Sequence, residues 1–280
     1  MKNILIATIF SLLTSNASSA TVDTISIYSN AMHKDFKCVV IQPGIVPDKP
    51  VPLPVVYLLH GYSGGYSNWI SRVPALMDYA DMYHLMIVCP DGGYSSWYFD
   101  SPMDSAMRYE TYIGKEVPDY IDAHYPTIKD RKGRAITGLS MGGHGGLFLG
   151  FHHTDFFGAC GSMSGGVDLN SARSKFDIMK RIGDTISYAG NWKKYSVINL
   201  VGSYPKDLSA GADSLAIIID CGTEDFFYSD NHALHEKMLQ LNIPHDYIER
   251  PGKHDWAYWR NAVQYQLLFF NNYFEKNFIK

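Results

Sequence analysis

Charge is sparse in this 280-residue chain, at 19% of positions, and the formal net charge is −4. No run of Lys or Arg is dense enough to neutralise a phosphate backbone, which excludes nucleic acid as a partner. Cysteine is scarcer still. Cys38, Cys89, Cys160 and Cys221 show none of the spacings that hold a metal ion. All four lie in or at the end of apolar runs, where a free thiol behaves as a small buried hydrophobe; an oxidising compartment would permit a disulfide, but no spacing dictates one. Long hydrophobic runs are missing as well. No stretch is long enough to cross a ~30 Å hydrocarbon core, so stable membrane insertion is not expected. No internal repeat, low-complexity tract or linker divides the chain.

What is present begins with the N-terminus. Lys2 gives a positive start, residues 4–13 an apolar segment, and Ser18-Ser19-Ala20 a small-residue cleavage site. Residues 1–20 therefore read as a secretory signal peptide, and a secreted or periplasmic chain starting near Thr21 is expected. No Cys follows the cleavage site to carry a lipid. With 46% hydrophobic positions, residues 21–280 have enough apolar material for a single catalytic domain around one large core.

Short runs rich in Val, Ile and Leu recur, several followed by a turn and a helical pattern. This is the alternation of an α/β fold with a mostly parallel central sheet flanked by helices. Residues 22–28 and 36–42 read as opening antiparallel strands, because the connection between them is too short for a crossover helix. Strands follow at 55–60, 85–89, 135–139, 214–220 and 245–249. Helical spacing covers 109–124, 231–241 and an aromatic stretch at 256–274. Residues 170–211 are the least regular and read as an insertion over one side of a pocket.

Gly138-Leu139-Ser140-Met141-Gly142-Gly143 fits G-x-S-x-G and lies between the 135–139 strand and a helical run at 143–151. In that context the glycines let a strained strand-to-helix turn project Ser140 above the sheet at a helix N-terminus, where developing negative charge is favoured. A serine hydroxyl needs a base. Among eleven histidines, His254 lies in a turn between the last strand and the last helix, where it can reach the elbow. His144 is too close to Ser140 on the same helix start. His232 and His235 share a helix face at metal-like spacing without a third ligand, and read as a solvated face. The orienting acid should follow the strand before the His loop. In Asp220-Cys221-Gly222-Thr223-Glu224-Asp225 the choice is Asp225, with Glu224 as runner-up and Asp220 as a structural acid. The order Ser140, Asp225, His254 is that of α/β-hydrolases. Oxyanion donors are expected from the backbone N–H of Met141 and of Tyr62, the latter in His60-Gly61-Tyr62-Ser63-Gly64-Gly65. His60 itself reads as structural. These residues call for no cofactor.

Together with Ser96-Trp97-Tyr98, Tyr109-Glu110 and Gly252-Lys253-His254-Asp255-Trp256, these motifs resemble the esterase D-like α/β-hydrolases. That group includes carbohydrate esterase family 1, with its feruloyl and acetylxylan esterases, tributyrin esterases, S-formylglutathione hydrolases and the antigen 85 mycolyltransferases. The resemblance spans roughly residues 55–274. It implies the same triad and the same oxyanion donors, places Trp97 and Tyr98 at the pocket mouth as substrate-binding residues, and makes Glu110 a buried structural acid. Export disfavours the S-formylglutathione subgroup, whose thioester substrate is cytosolic. The expectation is a serine carboxylic ester hydrolase acting on feruloyl or acetyl esters of plant polysaccharide. Its alternatives are a general short-chain esterase or acyltransferase, and a glycan-binding protein that has lost the chemistry.

Overall fold

The computed structural model describes residues 19–44, 51–203 and 214–278. The segment read as a signal peptide lies outside them except for Ser19 and Ala20, as does the end of the 170–211 stretch.

The eight strands among the described residues form one sheet, in the order β1-β2-β4-β3-β5-β6-β7-β8, numbered along the chain. The hairpin of β1 (Thr21–Ser29) and β2 (Lys34–Gln42) is antiparallel, and β2 runs antiparallel to β4 (Met86–Pro90). From β4 onward every neighbour is parallel: β3 (Val55–Leu59), β5 (Arg134–Gly138), β6 (Ala159–Met163), β7 (Ala216–Gly222) and β8 (Asp246–Arg250). Strands β3, β4 and β5 are buried at every residue, which explains why β3 and β4 read as continuous apolar runs without alternation.

Strand β6 has no counterpart in the sequence-based expectations. Its sequence, Ala-Cys-Gly-Ser-Met, contains no β-branched or aromatic residue. Close approach from both faces explains this. A Cβ on Gly161 would lie 2.1 Å from Gln266 Oε1, and one on Gly146 would lie 2.5 Å from the Gly161 carbonyl. The strand is made of small residues because helices press on it from either side.

Those helices form the outer layers. On one face lie α1 (Asn68–Arg72), α2 (Leu76–Tyr83) and the long α10 (Trp256–Phe278), which close over Val56, Leu58, Ile87 and Ile218. On the other lie α3 (Tyr109–Thr111) and α4 (Val117–His124), joined by a π-helical turn at Tyr112–Glu116, then α5 (Met141–His152) and α9 (Tyr228–Gln240), packed on Tyr57, Leu59, Val88 and Ile136. Helix α5 is buried from Met141 to Gly150, with Tyr195 and the helix at Val197–Leu200 packed on its outer side. The 170–211 stretch holds a 3-10 turn (Leu169–Ala172) and the short helices α6 (Ile178–Ile182), α7 (Ala189–Tyr195) and α8 (Val197–Leu200). The four cysteines are free and buried. Among the described residues no helix is long and apolar enough to cross a membrane.

Candidate active site

Ser140 occupies the turn between β5 and α5 with φ 55° and ψ −117°, a backbone conformation that side-chain-bearing residues rarely adopt. Its neighbours make the turn possible. A Cβ on Gly138 would meet the Leu59 carbonyl oxygen at 2.6 Å, and one on Gly142 would meet the Leu59 and His60 carbonyl oxygens at the same distance. The Ser140 N–H donates to the Met163 carbonyl at 2.9 Å, tying the turn to the end of β6. Oγ is thereby held at the N-terminus of a twelve-residue helix.

Asp225 and His254 come from the loops after β7 and β8, and these loops are laced together. The Thr223 N–H donates to the Arg250 carbonyl at 3.0 Å, and the Glu224 N–H to the Gly252 carbonyl at 2.9 Å. Gly252 sits at φ 154°, and a Cβ there would lie 2.2 Å from the Tyr258 ring. The lacing brings His254 Nδ1 to 2.8 and 3.0 Å from the two Asp225 carboxylate oxygens, and His254 Nε2 to 2.9 Å from Ser140 Oγ. A carboxylate can only accept, so Nδ1 carries the proton and the Nε2 lone pair faces the serine hydroxyl. Asp225 is itself fixed by the Phe227 N–H, which donates to Oδ1 at 2.8 Å. Around the imidazole lie the rings of Phe226, at 4.1 Å between centroids, and Trp259, edge-on at 4.9 Å.

The two other acids of the segment are placed differently. Glu224 is exposed and faces Lys253 at 3.7 Å. Asp220 is fully buried; burial pushes its carboxyl above the ordinary range, although Tyr258 Oη donates to it and Arg250 lies 2.8 Å away.

The glycine-rich loop after β3 packs directly on the elbow, with the position of a Gly61 Cβ only 3.4 Å from Ser140 Cβ. Among the described residues neither the Tyr62 N–H nor the Met141 N–H has a protein acceptor. His60 lies beneath this loop. Its Nε2 accepts from the Gly92 N–H at 2.7 Å, which leaves the proton on Nδ1 for the Gly61 carbonyl at 2.8 Å.

Six other histidines have partners away from Ser140. His144 is buried between the carbonyls of Trp97 and Tyr195, and burial pushes it down to about 4. His152 and His153 face Glu110. His232 meets Glu249 on a half-open surface, while His235 meets His245. No cluster of three metal-ligating side chains occurs among the described residues.

A cavity of about 420 Å³ opens over Ser140 and His254. Its walls are largely aromatic, formed by Tyr62, Phe176, Phe226, Trp256 and Trp259, with Asn68 and Arg72 at a polar end. Cavities of about 450 and 500 Å³ elsewhere share no lining residue with it. Trp97 and Tyr98 are a correction to the expected pocket mouth: they are 1% and 0% exposed and do not line the cavity. A turn with two successive positive φ values, 55° and 62°, tucks both rings inward. Tyr98 fills the space left by Gly92 and Gly145 and donates to the His60 carbonyl at 2.8 Å. Trp97 donates from Nε1 to the Phe176 carbonyl at 3.0 Å, so it supports the wall from behind. The sequence reading missed Phe176 and Phe226 as wall residues. The position of Phe226 next to Asp225 was an available signal, whereas Phe176 lies in a stretch with no motif.

Comparison with known proteins agrees with this architecture. The Esterase family model, described as "Putative esterase", matches residues 29–270. An acetyl esterase of Caldicellulosiruptor saccharolyticus is 26% identical over 262 residues, covering 85% of this chain and 94% of that protein. The diacylglycerol acyltransferase/mycolyltransferase Ag85B of Mycolicibacterium smegmatis is 27% identical over 248 residues, covering 75% of this chain and 74% of the relative. A solved ferulic acid esterase superposes with a TM-score of 0.78 at 30% identity, covering 92% of this chain and all of the other. The fold is that of an α/β-hydrolase and the protein is a carboxylic ester hydrolase. The chain belongs to the Esterase family.

Proposed function

We propose that this is an exported serine esterase that cleaves feruloyl or acetyl groups from plant polysaccharide, with Ser140 as nucleophile, His254 as general base and Asp225 as the acid that orients it. The observation that carries the reading is the unbroken line from the Asp225 carboxylate through the imidazole to Ser140 Oγ, with contacts of 2.8 and 2.9 Å, at the floor of an aromatic cavity. Ser140 Oγ attacks the ester carbonyl as His254 Nε2 takes its proton. The Met141 and Tyr62 N–H groups, free of protein acceptors, receive the charge that develops on the carbonyl oxygen. The imidazolium then returns the proton to the departing alcohol oxygen, and water resolves the acyl-enzyme by the same steps in reverse order. The acyl group is suggested by the names of two similar proteins, an acetyl esterase and a ferulic acid esterase.

The test is hydrolysis of p-nitrophenyl acetate, butyrate and octanoate, methyl ferulate and acetylated xylan by the mature protein beside Ser140→Ala. Preference for ferulate or acetylxylan, with turnover lowered roughly 10⁴- to 10⁶-fold in a folded mutant, is the expected outcome. Activity confined to simple short acyl esters would remove the polysaccharide from the reading. Near-normal turnover by the mutant would remove Ser140.

A further inference from the structure

A row of aromatic rings runs along one wall of the cavity and out of it to Tyr94, and the hydrolytic steps use none of these four side chains. Phe226, on the loop after β7, covers the face of His254 at 4.1 Å. Phe176, from the 170–211 stretch, stacks on Phe226 at 6.2 Å with an interplanar angle of 18°. Tyr62, on the loop after β3, meets Phe176 edge-on at 5.3 Å, and Tyr94, on the loop after β4, meets Tyr62 edge-on at 4.9 Å. Four separate loops at the same end of the sheet thus contribute one ring each. The two ends of the row, Tyr94 and Phe226, are both 60% exposed, so each leaves ring surface open to a ligand.

The row is also held in place. Phe176 and Asp177 take successive left-handed conformations, φ 56° and 58°, and the Phe176 carbonyl is anchored by the Trp97 indole. Asp177 receives the Tyr62 hydroxyl at 3.5 Å and Lys180 at 2.8 Å. Desolvation, followed by the contacts with Tyr94 and Asp177, pushes the Tyr62 phenol up to about 12, so it remains a hydrogen-bonding hydroxyl. Strain kept at a site mouth by such over-determination is a mark of function.

Direction fixes which half of the ester lies on the row. The alcohol oxygen must receive its proton from His254, so the alcohol leaves past the imidazole, and the ring beside the imidazole is Phe226. We propose that Phe226, Phe176, Tyr62 and Tyr94 form a stacking subsite for the sugar rings on the alcohol side of the ester, so that the enzyme reads the glycan that bears the acyl group. This rests on the polysaccharide reading above. Pyranose and furanose rings offer a flat C–H face to an aromatic ring and hydroxyls to the polar groups beside it, here Asp177 and Lys180. A fatty chain needs enclosure, and this row is open to water at both ends.

Kinetics of Tyr94→Ala and Tyr94→Trp test the proposal, with a feruloylated arabinoxylo-oligosaccharide and an acetylated xylo-oligosaccharide compared against methyl ferulate and p-nitrophenyl acetate. Tyr94→Ala is expected to raise KM about three- to tenfold on the oligosaccharide that the wild type cleaves, with kcat within twofold and both small esters unchanged; Tyr94→Trp restores the wild-type KM. Equal effects on large and small substrates, or no effect on either, would overturn the subsite while leaving the polysaccharide reading standing. A loss confined to p-nitrophenyl octanoate, assayed beside these substrates, would assign the row to an apolar chain and overturn it as well. If the wild type cleaves neither oligosaccharide, the polysaccharide reading fails and the subsite with it.

Discussion

Glu224 and Asp225 are adjacent in sequence and have opposite surroundings. Asp225 is buried, its carboxylate shared between His254 and the Phe227 N–H, while Glu224 sits in solvent beside a lysine. The difference follows from the turn, in which the Asp225 N–H donates to the Gly222 carbonyl and directs successive side chains outward and inward. Asp225→Asn keeps the shape and an oxygen for the Phe227 N–H, but it removes the anion that holds the imidazole in its reactive tautomer. A fall in kcat of roughly 10⁴ with unchanged thermal stability is expected, by analogy with other triads, whereas Glu224→Gln should stay within twofold. A comparable loss in both variants, measured on p-nitrophenyl acetate, would reject Asp225 as the orienting acid. At this scale the sequence was informative where chemistry demands a residue type at a fixed place: a serine between glycines, an acid after β7, a histidine after β8. It was misleading at Trp97 and Tyr98, because two left-handed residues in succession reverse the direction of both rings, and nothing in Ser96-Trp97-Tyr98 announces that turn.

Ser140, the proposed nucleophile, stands at the start of helix α5, and the far end of α5 is tied to the helix that begins at Tyr109. His152 Nδ1 lies 2.9 Å and His153 Nε2 3.4 Å from Glu110. Burial works against ionisation of Glu110, yet the hydrogen bond from His152 and the close approach of His153 outweigh it and hold the carboxyl down to about 2. An unfolded glutamate titrates near ~4.3. A carboxyl depressed in the folded state contributes stability that is fully present above the unfolded value and lost as pH falls from about 4 towards 2. Urea midpoints measured across pH 6 to 2 should therefore drop less steeply below pH 4.5 in Glu110→Gln than in the wild type. Parallel curves would mean that the pairing does not contribute. Elements were legible in proportion to their apolar content. The buried strands β3 and β4 stood out as Val-Val-Tyr-Leu-Leu and Met-Ile-Val-Cys-Pro. Strand β6 was invisible because the helices on both of its faces require small residues there, and small residues carry no periodic signal.

Across the molecule, a parallel sheet places the C-terminal ends of its central strands on one edge, and the loops at that edge assemble the site. Ser140, Asp225 and His254 are far apart in the chain, and the order β5, β6, β7, β8 in space brings them together. That convergence could be read from the sequence once the strands were assigned, since parallel crossovers leave little freedom. The aromatic rim could not, because it depends on how α6 and the turn before it lie across the cavity, and no local pattern encodes that placement.

The central claim is that Ser140 is activated by His254, and it is tested most directly by reaction with a fluorophosphonate followed by peptide mapping. The wild type should carry a single adduct on Ser140. Ser140→Ala should carry none, and His254→Ala should label at least a hundredfold more slowly while remaining folded, since general-base assistance is typically worth ~10²- to 10⁴-fold. An adduct on another residue, or labelling of Ser140 at an undiminished rate without His254, would contradict the mechanism.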